Sequence, residues 1–328
     1  EAARACLWSR VAVRVLVEVT AFDAPDEDAL YDGVRAVEWT RWMTSRTTLA
    51  VRATCKSSRM THSQFVAQRT KDAVVDLLRD RLGERPSVDR DDPDVLLAVH
   101  LSRDRATVYL DAGGASLHER GWRRETGDAP LRETLAAAVL RLSGWDREVP
   151  LIDPMCGAGT IAIEAAAWAA RIAPGLSRAR FGFERWSDHD DGAVRGMLEM
   201  RASARAQRRT GGPRIIARDA SARAVQHAAA NAKTAGVSIE VDRQDVRDLA
   251  PLDPAGFVVA NPPYGARLEA DETLYAVLAR SLRGMHGHTA AILAGTPAIG
   301  RAMRRDADRW WALYNGPIEC RLLVYAIR

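Results

Sequence analysis

Lysine is almost missing from this 328-residue chain. It occurs only at positions 56, 71 and 233, so nearly all of the 47 basic residues are arginine. Arginine carries a planar, permanently charged fork that suits phosphates and stacks on bases. The same bias follows from genome composition, so a net charge of +4 and a pI near 9.0 select no partner alone. Cysteine is scarce too. Cys6, Cys55, Cys156 and Cys320 form no CxxC pair and no cysteine–histidine cluster at zinc-ligand spacing. The expectation is a reducing cytoplasm, no structural disulfide and no metal. The seven histidines are scattered, with no HxxxH pair, and read as ordinary surface or core residues. No apolar run nears the roughly 18 residues that a membrane span needs. No signal peptide, internal repeat or low-complexity tract is visible.

What is present suits about two domains: 47% of residues are hydrophobic. The chain starts at Glu1 rather than Met, and strand-like residues begin almost at once, so a segment is expected upstream. Alternation predicts strands at 11–19 and 48–54, and a hairpin at 95–101 and 105–111 around SRDR. Helical spacing marks 26–38 and 63–82, the latter capped by Ser63 and stopped by Gly83. Residues 1–112 thus read as a small α+β domain, and the turn-rich, charged stretch 113–129 as a linker. From 130 to 328 strands and helices alternate. Strands are expected at 149–153, 214–218, 238–242, 256–260 and 289–294, with helices at 130–142, 160–170, 221–235 and 272–284 and a closing hairpin around Asn315-Gly316. That pattern predicts an α/β fold with a doubly wound, seven-stranded sheet and an antiparallel terminal hairpin. Its ligand would sit beyond the carboxyl ends of the strands. An insertion, 171–212, with an arginine-rich helix at 193–209, interrupts the second domain.

Two stretches carry chemistry. In LIDPMCGAGTIAIEAA (151–166), Gly157 and Gly159 lie between a strand and a helix, behind Asp153. Glycines there turn the chain tightly and open backbone amides to a ligand, and the helix start favours a carboxylate. The second strand of the sheet ends at Asp219, placed for the two hydroxyls of a ribose. The third is followed by Asp245, placed to accept from an adenine amino group. Either aspartate alone reads as a surface carboxylate. Together, after successive strands, they describe a pocket for adenosine with an amino-acid tail, which is S-adenosylmethionine. The other stretch, FVVANPPYGARL (257–268), delivers Asn261 to the end of the fourth strand. An asparagine oxygen and the Pro262 carbonyl can accept both protons of an exocyclic amine. That would draw the nitrogen lone pair out of ring conjugation and aim it at a methyl donor. Pro262 and Pro263 stiffen the loop, Tyr264 can stack on a base and Gly265 gives clearance.

With these residues in view, the chain resembles the THUMP-domain N2-guanine RNA methyltransferases, most closely the bacterial large-subunit ribosomal RNA enzymes of the RlmL type. The likeness rests on SLHERGWRRETGDAPLRETLAAAVL (116–140), DPMCGAGTIAIEAA, APGLSRARFGFERW (173–186), NPPYGARL and LYNGPIECRLLVY (313–325). THSQFVAQRTKDAVVDLL and VDRDDPDVLLAVHL resemble the THUMP segment. The resemblance implies a class I methyltransferase fold, S-adenosylmethionine as donor and a guanine 2-amino group in folded RNA as acceptor. Asp153, Pro154, Cys156, Gly157, Gly159 and Thr160 would line the cofactor turn, with Asp219 on ribose and Asp245 on adenine. Asn261, Pro262, Pro263 and Tyr264 would hold the target base. Arg59, His62 and Lys71 would grip RNA from the THUMP side. Ser221 stands where relatives often carry an acid. By this resemblance, residues 1–328 are expected to lack most of the ferredoxin-like segment that usually precedes THUMP and the second methyltransferase module fused in some relatives.

The favoured substrate is 23S ribosomal RNA, with transfer RNA as the alternative. NPPY would equally serve a DNA-adenine or protein-glutamine methyltransferase, against which the first 112 residues argue. A non-catalytic RNA-binding protein is opposed by the intact NPPY and DPMCGAGT stretches. Oligomeric state is not legible.

Overall fold

The computed structural model describes residues 1–124, 131–264 and 272–328. They divide into two compact units: residues 1–117 with 178–203, and residues 118–177 with 204–328.

The first unit opens with α1 (Ala2–Trp8), β1 (Leu16–Asp23) and α2 (Glu27–Arg35). These are followed by β2 (Thr48–Lys56), α3 (Ser63–Leu82), β3 (Ser87–Val88), β4 (Val95–Ser102) and β5 (Arg105–Asp111). Its sheet runs β1-β5-β4-β2-β3. Apolar residues from α2, α3 and the sheet, among them Leu30, Val74, Leu78, Leu97 and Val108, form its core around a fully buried Trp39. The indole of Trp39 donates to the Val34 carbonyl at 2.8 Å, so its one polar atom is satisfied. The α3 helix spans the expected residues and stops at Gly83, but its N-cap is His62, whose ring accepts from Phe65 N–H, rather than Ser63. The β1 strand departs from its expected span: it starts at Leu16 rather than at 11, because its partner β5 ends at Asp111, opposite Leu16. Val11 and Val13 are left 45% and 38% exposed.

The second unit holds α4 (Glu133–Ser143), β6 (Leu151–Asp153), α5 (Thr160–Ala169), β7 (Ile215–Asp219), α7 (Ala222–Ala235), β8 (Glu240–Arg243) and β9 (Phe257–Ala260), the helix α6 (Asp191–Ala206) falling mostly in the first unit. It closes with α8 (Glu272–Arg283), β10 (Thr289–Ala294), α9 (Ala298–Met303), β11 (Arg309–Asn315) and β12 (Ile318–Ala326). The sheet order is β11-β12-β10-β9-β6-β7-β8. Five strands are parallel, and β12 runs antiparallel between β10 and β11. This is the doubly wound, seven-stranded α/β sheet with a terminal hairpin that the strand–helix alternation implied. Neighbouring residues of each central strand enter opposite cores. Leu151, Val259 and Leu293 pack with α4 and α5, while Ile152, Val258 and Ile292 pack with α8 and α9. Burial on both faces explains why these strands read as unbroken apolar runs. The six-residue α9 was not expected, being too short to show a helical period.

The insertion is partitioned differently from the expectation that all of 171–212 belongs to the second domain. Residues 178–203 group with the first unit, for reasons visible in their contacts. The backbone at Gly182 lies so close to Asp111 and Gly114 that a β-carbon would sit 2.6 Å from the Asp111 carbonyl oxygen. Arg185 pairs with Asp92 at 2.9 Å. Buried Arg201 bonds Glu184 at 2.8 Å and lies over the Phe181 ring. The expected linker, 113–129, spans the division at 117/118, and its residues 125–129 fall outside those described.

Candidate active site

Strand order reverses at the β6–β9 pair: β7 and β8 lie on one side, β10 and β12 on the other. A crevice opens at the carboxyl ends of such a pair. Asp153 and Asn261 leave their strands there, and a cavity of about 550 Å³ lies between them. A second cavity, about 140 Å³, shares the walls Met155 and Asp219 with the first.

The turn after β6 is built by its glycines. Gly157 and Gly159 have φ of +52° and +85°, which L side chains resist. A β-carbon on Gly159 would also meet Ala228 of α7 at 3.0 Å. Asp219, at the end of β7, fastens the turn: its carboxylate accepts from Gly157 N–H at 3.0 Å and from Ser221 N–H at 2.9 Å. A carboxylate has about four acceptor positions, so a ligand hydroxyl can still be received. Ser221 in turn caps α7, accepting from Ala224 N–H at 3.3 Å. Thr160 lines the cavity, and its hydroxyl accepts from Arg123 at 3.1 Å. Arg123 is also tied to Glu133 at 2.9 Å.

Asp153 is 1% exposed. Burial pushes its carboxyl up to about 8; a hydrogen bond from Met155 N–H works against that shift, and the Asp219 charge adds to it. Burial likewise raises the Cys156 thiol, and Asp153 and Asp219 push the same way. Cys156 is therefore a packed thiol, not a nucleophile. Asp245 and Pro154 line the smaller cavity. The Asp245 carboxylate caps the short turn Val246–Asp248, accepting from Arg247 N–H at 2.9 Å.

On the opposite wall, Asn261, Pro262, Pro263 and Tyr264 all face the larger cavity. Asn261 Oδ1 is buried and has no hydrogen-bond partner among the described residues. A lone acceptor of this kind is costly unless a ligand supplies a donor. The loop is braced from two sides. Tyr275 of α8 donates to the Pro263 carbonyl at 2.6 Å. Asn315, in the β11–β12 turn, donates to the Tyr264 hydroxyl at 2.8 Å. Tyr264 is 7% exposed, and its ring packs against Gly295 so closely that a β-carbon there would sit 2.4 Å from it. Gly265, expected to give clearance, lies outside the described residues.

Eleven of the twelve residues expected for cofactor and target base line two adjoining cavities, and the twelfth, Gly159, sits in the turn behind them without lining either. The structure adds Leu131, Arg132 and the turn 315–318, which sequence reasoning did not assign to the site. Asn315-Gly316 read in the sequence only as the turn of the closing hairpin. The RNA candidates belong to the first unit. Arg59 is paired with Asp104 at 3.5 Å and Lys71 with Asp72 at 2.6 Å. His62 Nδ1 accepts from Phe65 N–H as the cap of α3. Among the described residues no group of three or more His, Cys, Asp or Glu could hold a metal ion. No helix among them is long and apolar enough to cross a membrane.

Residues 120–323 match the family model described as RMKL-like, methyltransferase domain, and residues 24–111 match the THUMP domain. A ribosomal RNA large subunit methyltransferase K/L of Syntrophotalea carbinolica is 44% identical over 99% of this chain and 47% of its own length. The chain thus spans about half the length of the curated relatives it matches. Among solved structures, a possible methylase from Clostridium difficile 630 superposes with a TM-score of 0.90 at 29% identity, covering 100% of this chain and 87% of its own. SMU.472, crystallised with SAH, gives 0.87 at 29% identity, covering 99% of this chain and 87% of its own. The glycine turn, the reversal of strand order and the NPPY wall occur together in a sequence of this descent: the chain belongs to the RMKL-like methyltransferase family and carries a THUMP domain ahead of its methyltransferase domain.

Proposed function

We propose that the chain is an S-adenosylmethionine-dependent RNA methyltransferase acting on the exocyclic N2 amino group of a guanine in structured RNA, with 23S ribosomal RNA as substrate, in the cytoplasm. The observation that carries this reading is Asn261 Oδ1. It is a buried acceptor without a partner among the described residues, in a cavity whose other wall is the glycine turn. The names of the relatives and the SAH complex of a structural neighbour support it.

When bound, S-adenosylmethionine supplies an activated methyl group. Asp153, Pro154, Cys156, Gly157, Gly159 and Thr160 form the turn that would hold it, with Asp219 toward ribose and Asp245 toward adenine. Asn261 Oδ1 accepts one proton of the guanine amine and the Pro262 carbonyl accepts the other, which orients the nitrogen lone pair. Tyr264 forms the floor beneath the base. Its hydroxyl is fixed by Asn315 and the loop by Tyr275, so the acceptors are set before the base arrives. No strong base is required, because positive charge appears on nitrogen as it leaves sulfur. A guanine in a helix must first be unstacked, at a cost of roughly a few kcal/mol. Contacts from basic side chains to phosphate, with Arg59, His62 and Lys71 as THUMP-side candidates, would offset that cost.

The test is transfer of tritiated methyl from S-adenosylmethionine into unmodified 23S RNA and, separately, into transfer RNA, followed by digestion and chromatography. Label recovered as N2-methylguanine from 23S RNA is the expected result. Label in transfer RNA alone would replace the substrate, and N6-methyladenine would replace the chemistry.

A further inference from the structure

A further cavity lies apart from the one between the glycine turn and NPPY. It is an open groove of about 720 Å³ on the outer face of the terminal hairpin. Strand alternation turns one face of the hairpin toward it: Trp310, Glu319, Arg321 and Leu323 line the groove, and Tyr314 lies on the strand of Trp310 beyond that lining. Trp311, Leu313, Leu322 and Val324 enter the core, so Trp310, Ala312 and Tyr314 must face out from β11, the edge strand. Their cross-strand partners are Leu323, Arg321 and Glu319. Trp310 is 56% exposed and Tyr314 66%. Exposed aromatics on a sheet edge are a liability that proteins usually remove. Here they are flanked by charge: the Arg321 guanidinium lies 5.1 Å from the centre of the Trp310 ring, and Arg301 and Arg305 line the far wall. Asp306 and Glu319 also line the groove, and Arg305 is paired with Asp308 at 2.6 Å, so it is a mixed rather than a purely basic surface.

We infer that this hairpin face is a stacking platform for unpaired RNA next to the target nucleotide. A flat indole with a guanidinium over it offers two planar surfaces for bases, and the arginines offer contacts for the backbone between them. Trp310 and Tyr314, four residues apart on one strand, are about 13 Å apart, enough to receive separate bases. The groove adjoins the site without sharing a lining residue with it. Gly295 lines it and lies directly against the Tyr264 ring, which lines the cavity on the other side. The turn between β11 and β12 is itself part of that cavity wall. A nucleotide held beside NPPY therefore has a strand path onto the hairpin. This inference rests on the RNA methyltransferase reading for its biological setting, but not for its binding test.

A short 5′-fluorescein oligoadenylate is titrated into the full chain and followed by anisotropy, single-stranded and annealed to its complement. Ultraviolet cross-linking then maps the contact. The expected result is single-strand binding weakened roughly tenfold or more by Trp310→Ala. Trp310→Phe should recover most of it, Arg321→Ala should weaken it, and the cross-link should fall within 309–315. Because Trp310 is half exposed, its removal leaves the core intact, which unchanged S-adenosylmethionine binding by calorimetry verifies. Equal binding by all variants, a cross-link elsewhere, or no single-strand binding by the parent chain overturns the platform. Methyl transfer into RNA would remain in that case, so the two readings fail separately. Trp310-dependent binding without methyl transfer into any RNA would leave the platform standing and remove the activity.

Discussion

Asn261 and Asp153 place polar groups where burial is expensive, and each makes a measurable statement. Replacing a buried acceptor that has no partner removes a desolvation cost of about 1–3 kcal/mol along with the side chain's packing. Asn261→Ala should therefore unfold at nearly the parent temperature and bind S-adenosylmethionine as before. Its turnover should fall by about 100-fold or more, as when one pre-set polar contact to a transition state is deleted. Loss of cofactor binding together with turnover would show Asn261 to be structural instead. Asp153 titrates near 8 when folded against 3.8 as its ordinary value, because burial penalises its charge. The folded state thus binds the proton more tightly. This group's contribution to stability is complete below about pH 4, declines through neutrality and is gone above about pH 8. Asp153→Asn, neutral at every pH, should gain stability relative to the parent chain as pH rises across that window and hold a constant lead beyond it, as followed by thermal unfolding. Of the site, Asn261 and the aspartates at strand ends were legible because strand, acid and turn residues are adjacent in sequence. The braces were not. Tyr275 and Asn315 reach the NPPY loop only through tertiary contact, and nothing in their local sequence marks them.

Elements were legible where a single period dominates. The α3 helix has a long apolar face ended by Gly83, and β9 and β10 are short, almost wholly apolar runs. β1 was misplaced because VAVRVLVEV has no internal boundary, and its start is dictated by the length of β5. The turn into α5 is the element most exposed to a small change. Gly159→Ala combines a φ of +85° with a β-carbon 3.0 Å from Ala228. Strain of this kind costs about 1–3 kcal/mol. Urea unfolding should shift by that amount, and cofactor affinity should drop with it because the amides of the turn move. The same substitution at Gly236, the αL cap of α7 with open space around it, should cost less and leave affinity unchanged.

At the scale of the whole chain, the sequence suggested two bodies and a boundary, and composition did not reveal that one body is assembled from two separate stretches. The insertion was assigned by its position in the chain, whereas its grouping follows from Arg201, Glu184 and the approach of Gly182. Breaking a buried ion pair by removing one partner costs about 3–5 kcal/mol. Arg201→Ala should therefore lower hydrogen-exchange protection in β1 and β5 more than in β6 and β9; equal loss in both units would contradict the grouping. The partition also has a temporal meaning. A ribosome releases residues 1–117 well before 178–203, with α4, β6 and α5 emerging between them. The first body waits, open where Gly182 will later settle, while the second is begun and left incomplete. Neither can be excised by one cut in the gene. A fragment ending at the apparent linker would be a domain without its closing piece, and its behaviour in solution would reflect that gap rather than the properties of the THUMP fold.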